Sequence, residues 1–364
     1  MNDCNFPLIE YRKSDSPYQW GLSHGEEFKT SIKELIEIRK ELMLQKNPGI
    51  EASLDKLAKL QWEFTGELDQ EILQEMDGIR KSSDVSITDI VILNNYTDFR
   101  DIILPDEGCS TIYTKVNNLA LTGQTWDMHG SAKNYVSTIK VPRKNDNPSA
   151  IIFSLVGCVG MAGFNSTGLF LGVNNINTDK AETGVIWPAL VRNALKEKNH
   201  QDLVNKLRSS KVTSGHNYLV SSVNEGQHWE VAPFAGQKVA SIESGQEGSA
   251  IHTNHCLGSE ITPFEDKNSI SSTTKIRYEI LERRTKEINV HQDLINLLQD
   301  HENYPMSICS HYESGAQDPS YTCGGISGDI TSGDFFLWRG CPVHDKNYKK
   351  YNFSLSNKEF TTEE

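Results

Sequence analysis

Gly108-Cys109-Ser110-Thr111 places a cysteine directly after a glycine at the start of a strand-like run. Gly108 offers an unhindered carbonyl. A thiolate at Cys109 can attack that carbonyl and shift the peptide to a thioester, which water then opens. The product is a chain beginning at Cys109, with a free α-amine beside its own thiol. An α-amine has an ordinary pKa of about 8, so it can act as general base around neutral pH, and no separate histidine is required. A single cysteine is more often a small buried hydrophobe than a nucleophile, so context must carry the assignment. Leu121-Thr-Gly-Gln-Thr-Trp-Asp127 supplies part of it, as a strand-like run ending in an acid 18 residues after Cys109. A hairpin returns this run beside the first and brings Asp127 to the new N-terminus. There a carboxylate can hold an ammonium or orient the nucleophile. The alternative is an ordinary turn Asp.

Other chemistry finds weaker support. His252, His255 and Cys256 are close in sequence, but no further ligand has metal-site spacing and there is no His-Glu-x-x-His, so no metal site is expected. Cys109 paired with His216 or His311 would make a conventional cysteine peptidase, uncut at residue 108, but the setting is unlike that of papain. No glycine-rich loop joins a strand to a helix as a phosphate cradle would, and no nucleotide or other cofactor is expected.

Several further segments, in order, carry a family likeness: Ser16-Pro-Tyr-Gln-Trp-Gly-Leu-Ser-His-Gly25, Glu75-Met-Asp-Gly-Ile-Arg80, Asp89 to Asn95, Gly108-Cys109-Ser110-Thr111, Gly123-Gln-Thr-Trp-Asp127, Gly163-Phe-Asn-Ser-Thr-Gly168, Gly172-Val-Asn-Asn175, Thr253-Asn254-His255 and Ser272 to Arg277. Each is weak alone. In this order and spacing the chain resembles the acyl-coenzyme A:6-aminopenicillanic acid acyltransferase (isopenicillin N acyltransferase-like) family of self-processing N-terminal-nucleophile hydrolases. The resemblance implies an α+β fold, a four-layer αββα sandwich, and a chain that cuts itself into two. Residues 1–108 would be a helical pro-segment that stays as light chain, and residues 109–364 the catalytic heavy chain. It implies Cys109 as nucleophile, Asp127 as its support and Asn254 as donor to the oxyanion. Asn174 and Asn175 are candidate further donors, though such pairs also form turns. Trp126 and His311 are candidate substrate contacts. The substrate would be a small N-acyl compound or an acyl thioester such as acyl-CoA, resolved by water or by an amine. One departure stands out: in Ser307-Ile-Cys-Ser310-His311, Ser310 occupies the position where the family has Arg. Either His311 or a residue elsewhere then takes that charge role, or the site binds a different acyl or amine group. A binding protein that keeps the fold without processing is the third reading.

Elements able to position these residues are legible from periodicity. Apolar residues at helical spacing predict helices over Ser31 to Leu44, Ala52 to Phe64, Leu68 to Ile79 and Ile87 to Asn95. From Pro105 onward the texture turns to short β-like runs: Ser110 to Tyr113, Leu119 to Trp126, Val136 to Val141, Ala150 to Val156, Leu169 to Val173, Asn217 to Ser222, His228 to Ala232 and Ala250 to Thr253. Helices interrupt at Pro188 to Lys198, Gln201 to Ser209, Ile276 to Lys286 and Val290 to Gln299. Strands return at Thr322 to Ser327 and Asp334 to Arg339.

Composition bounds the rest. The chain has 364 residues, 37% hydrophobic and 23% charged, as in ordinary globular enzymes. A net charge of −13 repels phosphate backbones, so nucleic acid is not an expected partner. Seven scattered cysteines without Cys-x-x-Cys argue against a disulfide framework or a zinc ribbon. Met1 to Tyr11 has no signal-peptide pattern and no apolar run approaches a membrane span, so a cytoplasmic protein without membrane partners is expected. The sequons at Asn95, Asn165 and Asn352 are then chance matches.

Overall fold

The structure, a computed structural model, describes residues 3–46, 48–100, 108–267, 273–311 and 320–363. Pro105, the expected start of the strand-rich body, and Ser272 lie outside the described residues. From the N-terminus the chain forms β1 (Leu8–Glu10), then α1 (Pro17–Glu27), α2 (Lys29–Lys46), α3 (Glu51–Leu68), α4 (Gln70–Ser83) and α5 (Ile87–Arg100). There follow β2 (Thr111–Val116), β3 (Leu119–His129), β4 (Val136–Val141), β5 (Ala150–Leu155), β6 (Ala162–Asn165) and β7 (Phe170–Asn175). Next come α6 (Trp187–Ala194), α7 (His200–Ser209), β8 (His216–Ser221), β9 (Gly226–Ala232), β10 (Ala235–Ile242) and β11 (Gly248–His252). The last third holds α8 (Thr274–Arg284), α9 (His291–Leu298), β12 (Ser320–Asp329), β13 (Asp334–Arg339), β14 (Lys349–Ser356) and β15 (Glu359–Glu363).

Two sheets result, one in the order β1-β4-β5-β6-β7-β8-β9-β10 and the other β11-β2-β3-β12-β13-β14-β15. Tyr113, Trp126 and Ile326 of the second sheet meet Phe153, Phe164, Phe170 and Leu219 of the first in the inter-sheet core. Helices of the N-terminal third, with α6 and α7, close the outer face of the first sheet through Trp20, Leu190, Leu203 and Leu207. Helices α8 and α9 close the second through Leu281, Leu294 and Leu298 against Ile112, Leu121 and Trp338. The layers therefore run α-β-β-α, an α+β four-layer sandwich with a helical N-terminal segment. Among the described residues no helix is long and apolar enough to cross a membrane.

The earliest motifs are structural. Helices α1 and α4 cross at glycines: a Cβ on Gly21 would lie 2.0 Å from Glu75 O, and one on Gly78 would lie 2.3 Å from Tyr18 O. Beside that crossing runs a buried relay. His24 Nε2 accepts from the Gly157 amide at 2.8 Å. Its Nδ1 meets Tyr11 Oη at 3.1 Å, Tyr11 donates to Glu75 at 2.8 Å, and Glu75 pairs with Arg192 at 3.1 Å. Burial lowers the His24 pKa to about 3, which matches a neutral ring with Nε2 as acceptor. The relay and the parallel pairing of β1 with β4 fasten the helical third to the body.

Helix α1 was not legible from periodicity because its glycines, poor helix formers, serve the crossing. Strands β10, β14 and β15 lie at or near sheet edges with mixed burial, and so lack a clean alternating pattern.

Candidate active site

Cys109 sits just before β2, and β3 returns beside it as the hairpin required. Gly108 bridges Asp127 in antiparallel fashion, with the Asp127 amide donating to Gly108 O at 2.7 Å. The approach is tight: a Cβ on Gly108 would lie 2.3 Å from Asp127 Oδ2. Only glycine leaves both the Gly108 carbonyl and the Asp127 carboxylate in place. One strand further, β12 carries an irregularity between Thr322 and Gly324, a bulge that sets Thr322 opposite Asp127. Thr322 Oγ1 donates to Asp127 Oδ1 at 2.6 Å and accepts from the Ser310 amide at 2.7 Å.

Asp127 Oδ2 is buried without a hydrogen-bond partner among the described residues. Burial raises the carboxyl pKa to about 6, against the opposing pull of the Arg277 guanidinium and the Thr322 hydroxyl. A carboxylate so tuned can take up a proton near neutrality.

Arg277, on α8, enters the site from the second helical layer and is fully buried. Its Nη1 donates to Cys109 O at 2.8 Å and Ser110 Oγ at 3.1 Å, and its Nη2 to Asn254 Oδ1 at 2.9 Å. Asn174 Nδ2 also donates to Cys109 O, at 3.0 Å. Asn174 is itself held by Thr111 and Asn217, which donate to its Oδ1 at 2.7 and 2.6 Å.

Asn254 Oδ1 accepts from the Cys109 amide at 2.7 Å, while its Nδ2 donates to Asn175 O at 2.9 Å. This orientation is forced. The reverse would aim an NH2 at two donors, the Cys109 amide and Arg277. Asn254 thus faces the Cys109 nitrogen with its oxygen and keeps its Nδ2 as the donor side.

Cys109 also lines a narrow cavity of ≈ 20 Å³, about the room of one water, shared with Trp126, Asp127, Met161, Asn175, Trp187 and His216. A second small cavity, lined by Tyr96, Thr97, Cys158 and Pro188, continues from it along Trp126, Met161 and Trp187. Helix α5 departs from helical geometry at Asn95 and then brings Thr97 to this wall. Burial pushes His216 down to about 4, and its Nε2 lies 3.6 Å from Asp98.

The expected site residues Gly108, Cys109, Asp127, Asn174, Asn175 and Asn254 are therefore brought together, with Trp126 on the pocket wall. His311 is not among them. It lies beyond Thr322 with His301, Cys309 and Cys341, and Ser310 meets Thr322 through its backbone. The cation at Cys109 is Arg277 instead, from the stretch that resembles the family's S-x-x-R. Arg277 and Thr322 were not assigned roles from sequence. His252 and His255, weighed as metal ligands, serve as hydrogen-bonding groups, His252 on Glu230 at 2.9 Å and His255 on Thr274 at 3.1 Å. The expectation of no metal site did not weigh His301, Cys309, His311 and Cys341 together.

The sequence profile of the acyl-coenzyme A:6-aminopenicillanic acid acyl-transferase family matches residues 114–320. The 40 kDa form of the acyl-coenzyme A:6-aminopenicillanic-acid-acyltransferase of Emericella nidulans is 25% identical over 304 residues, covering 82% of this chain and 84% of that protein. Among solved structures, the Caenorhabditis elegans N-acylethanolamine-hydrolyzing acid amidase ortholog aligns at a TM-score of 0.42 and 10% identity, over 61% of this chain and 93% of that one. A variant of conjugated bile acid hydrolase from Clostridium perfringens aligns at a TM-score of 0.41 and 8% identity, over 70% and 97%.

Proposed function

Because the chain belongs to the acyl-coenzyme A:6-aminopenicillanic acid acyl-transferase family, we propose that it is an amidohydrolase or acyltransferase of small N-acyl compounds, activated by its own cleavage between Gly108 and Cys109. The observation that carries this reading is the antiparallel bridge of Gly108 to Asp127, which holds a scissile carbonyl against both an amide donor and a buried carboxylate.

Cleavage proceeds in balanced steps. Asp127 Oδ2 takes the Cys109 thiol proton. The thiolate attacks the Gly108 carbonyl carbon, and the developing oxyanion keeps the Asp127 amide as donor. Collapse breaks the Gly108–Cys109 C–N bond, the Cys109 nitrogen takes the proton from Asp127, and a thioester links Gly108 to Sγ. Water opens the thioester, leaving the Gly108 carboxylate and a free Cys109 amine and thiol, with the released proton passing to solvent. The new amine remains on Asn254 Oδ1, with its backbone carbonyl clamped by Arg277 and Asn174.

In the cut enzyme the Cys109 amine accepts the thiol proton, and the thiolate attacks a substrate amide or thioester. An amide nitrogen carries two hydrogens. Asn175 O takes one from Asn254, and the second is the oxyanion donor of this reading. Water or an amine then resolves the acyl-enzyme. Residues 1–108 stay bound as light chain. Acyl-CoA enters only as a candidate acyl donor, and no cofactor takes part.

Intact mass spectrometry under denaturing conditions tests this reading. The expected result is two species, matching 1–108 and 109–364, from the natural protein. Cys109→Ala should give one inactive species of 40.9 kDa less the sulfur, while Cys158→Ala and Cys323→Ala are cut as usual. A second reading rests on His216, which shares the cavity with Cys109. An uncut natural protein whose activity disappears with His216→Asn would replace self-processing with a conventional Cys–His pair.

A further inference from the structure

His301 follows α9, Cys309 and His311 precede β12, and Cys341 follows β13. One ligand atom from each, two sulfurs and two imidazole nitrogens, all lie within 4.8 Å of one another. His301 Nε2 is 3.1 Å from Cys341 Sγ, and His311 Nε2 is 3.7 Å from Cys309 Sγ. Zinc bonds of about 2.3 Å to sulfur and 2.0–2.1 Å to nitrogen put tetrahedral ligand atoms roughly 3.3–3.8 Å apart. Those two pairs, at 3.1 and 3.7 Å, lie just below and within that range, and the whole set lies within 4.8 Å, so small side-chain shifts would close it around one ion.

Two further observations point to a cation. The backbone amides of Val343 and His344 both aim at Cys341 Sγ, at 3.4 and 3.3 Å. Amides gathered on a sulfur favour the thiolate, the form that ligates metals. In addition, the rings of His301, His311 and His344 pack within 4.9 to 5.4 Å of one another, centre to centre. Histidines from three separate stretches thus converge on one point beside the two sulfurs. The reaction described above uses none of the four ligand residues.

We propose that His301, Cys309, His311 and Cys341 form a closed Cys2His2 site for one Zn²⁺, a structural rather than a catalytic centre. Two thiolates and two neutral imidazoles fill the tetrahedron and balance the dication, with loss of the two thiol protons on binding. The metal joins three stretches of chain that share no secondary-structure element. The middle stretch also supports the reacting centre: Ser310 O accepts from the Thr322 amide at 2.9 Å, and the Thr322 hydroxyl holds Asp127. Fixing residues 309–311 therefore fixes the strand that orients Asp127.

Metal content of the full-length protein, purified from zinc-supplemented cells and desalted, tests the site by inductively coupled plasma mass spectrometry. The expected result is about one zinc per chain in the natural protein and in Cys256→Ser, and a near-complete loss in Cys309→Ser and in Cys341→Ser. If those variants fail to fold, the natural protein decides: stripped with a chelator under reducing conditions and titrated with Co²⁺, it should develop a thiolate-to-cobalt charge-transfer band and intense tetrahedral d–d bands that saturate at one equivalent. Lack of both zinc and a cobalt spectrum in the natural protein overturns the proposal. So does full zinc retention by Cys341→Ser, or a Cys309–Cys341 disulfide in peptide maps of protein kept anaerobic. Because the readout is bound metal, the result stands whether or not the chain cuts itself.

Discussion

Thr322→Val removes a hydroxyl while keeping the shape of the side chain, and it should move the acid limb of self-cleavage. Asp127 Oδ1 accepts from Thr322 at 2.6 Å, and Oδ2 has no partner among the described residues. The substitution therefore strips a buried carboxylate of its hydroxyl donor. A hydrogen bond to a charged acceptor contributes about 1.5–3 kcal/mol, and about 1.4 kcal/mol moves a pKa by one unit. The carboxyl, already raised by burial to about 6, should rise by roughly one to two units more. Near pH 7 the ionised fraction then falls from about nine-tenths to between about one-half and one-tenth, and cleavage slows about 2- to 10-fold. Near pH 9 the rate should be almost restored. Thr322→Val also leaves the buried Ser310 amide without its acceptor, so overall stability drops by about 1–3 kcal/mol. Thr322→Ser keeps both hydrogen bonds and should keep the natural profile. The assay follows the uncut fraction of freshly synthesised chain by denaturing gel at a series of pH values. An unmoved acid limb in Thr322→Val, or an equal shift in Thr322→Ser, refutes the role given to Asp127.

Gly108→Ala puts a methyl carbon 2.3 Å from Asp127 Oδ2 and 3.1 Å from Arg277 Nη2. Displacement of the carboxylate by about 1 Å should slow cleavage roughly 100-fold, with the uncut chain still folded by circular dichroism; natural-rate cleavage would sink the proposed geometry. His24, lowered by burial to about 3, should contribute to acid sensitivity. The unfolded chain binds a proton below about 6.5 that the native ring refuses, so stability is present above that pH and lost as pH falls, by roughly 3 kcal/mol at pH 4. His24→Gln should flatten the difference in urea midpoint between pH 7 and pH 4 by that amount, and an unchanged slope would refute the assignment.

The hairpin of the site was legible because its cause is local. A strand-like run after Gly108-Cys109 and another ending at Asp127 have one short route back, and β2 and β3 take it. Asn165 of the Gly163 to Gly168 element is also local: its Oδ1 accepts from the Thr167 and Leu169 amides and shapes the turn into β7. Residues that arrive from far along the chain were not legible in the same way. Arg277 is 168 positions from Cys109, and Thr322 faces Asp127 only because β12 pairs with β3 and bulges there. No periodicity encodes that register. Gln124 shows the same limit, since its reach to the Val173 amide at 2.7 Å depends on how the two sheets stack. The Cys2His2 cluster is assembled from irregular spacings across α9, β12 and β13. A search for Cys-x-x-Cys therefore passes over it, although Cys-x-His at 309–311 was its one local signal.

The proposed cut separates the helical third covalently but not physically. Residues of that third remain committed to the body: the Gly157 amide on His24, Arg192 on Glu75, and Lys196 on Asp69 at 2.7 Å. Ile32, Ile90 and Leu93 stay buried in the core that also holds Phe153 and Leu155. Each such side chain contributes about 1.5–3 kcal/mol when fully buried, and no surface of the body could be exposed without giving up several at once. The cavities beside Cys109 are walled from both sides of the cut, by Tyr96 and Thr97 from the helical segment and by Trp126, Met161 and Trp187 from the body. Under the proposed processing, the light chain therefore lines the space beside Cys109 that a bound acyl group would have to open. The selectivity for acyl groups should respond to substitution at Tyr96 as much as to substitution at Trp126.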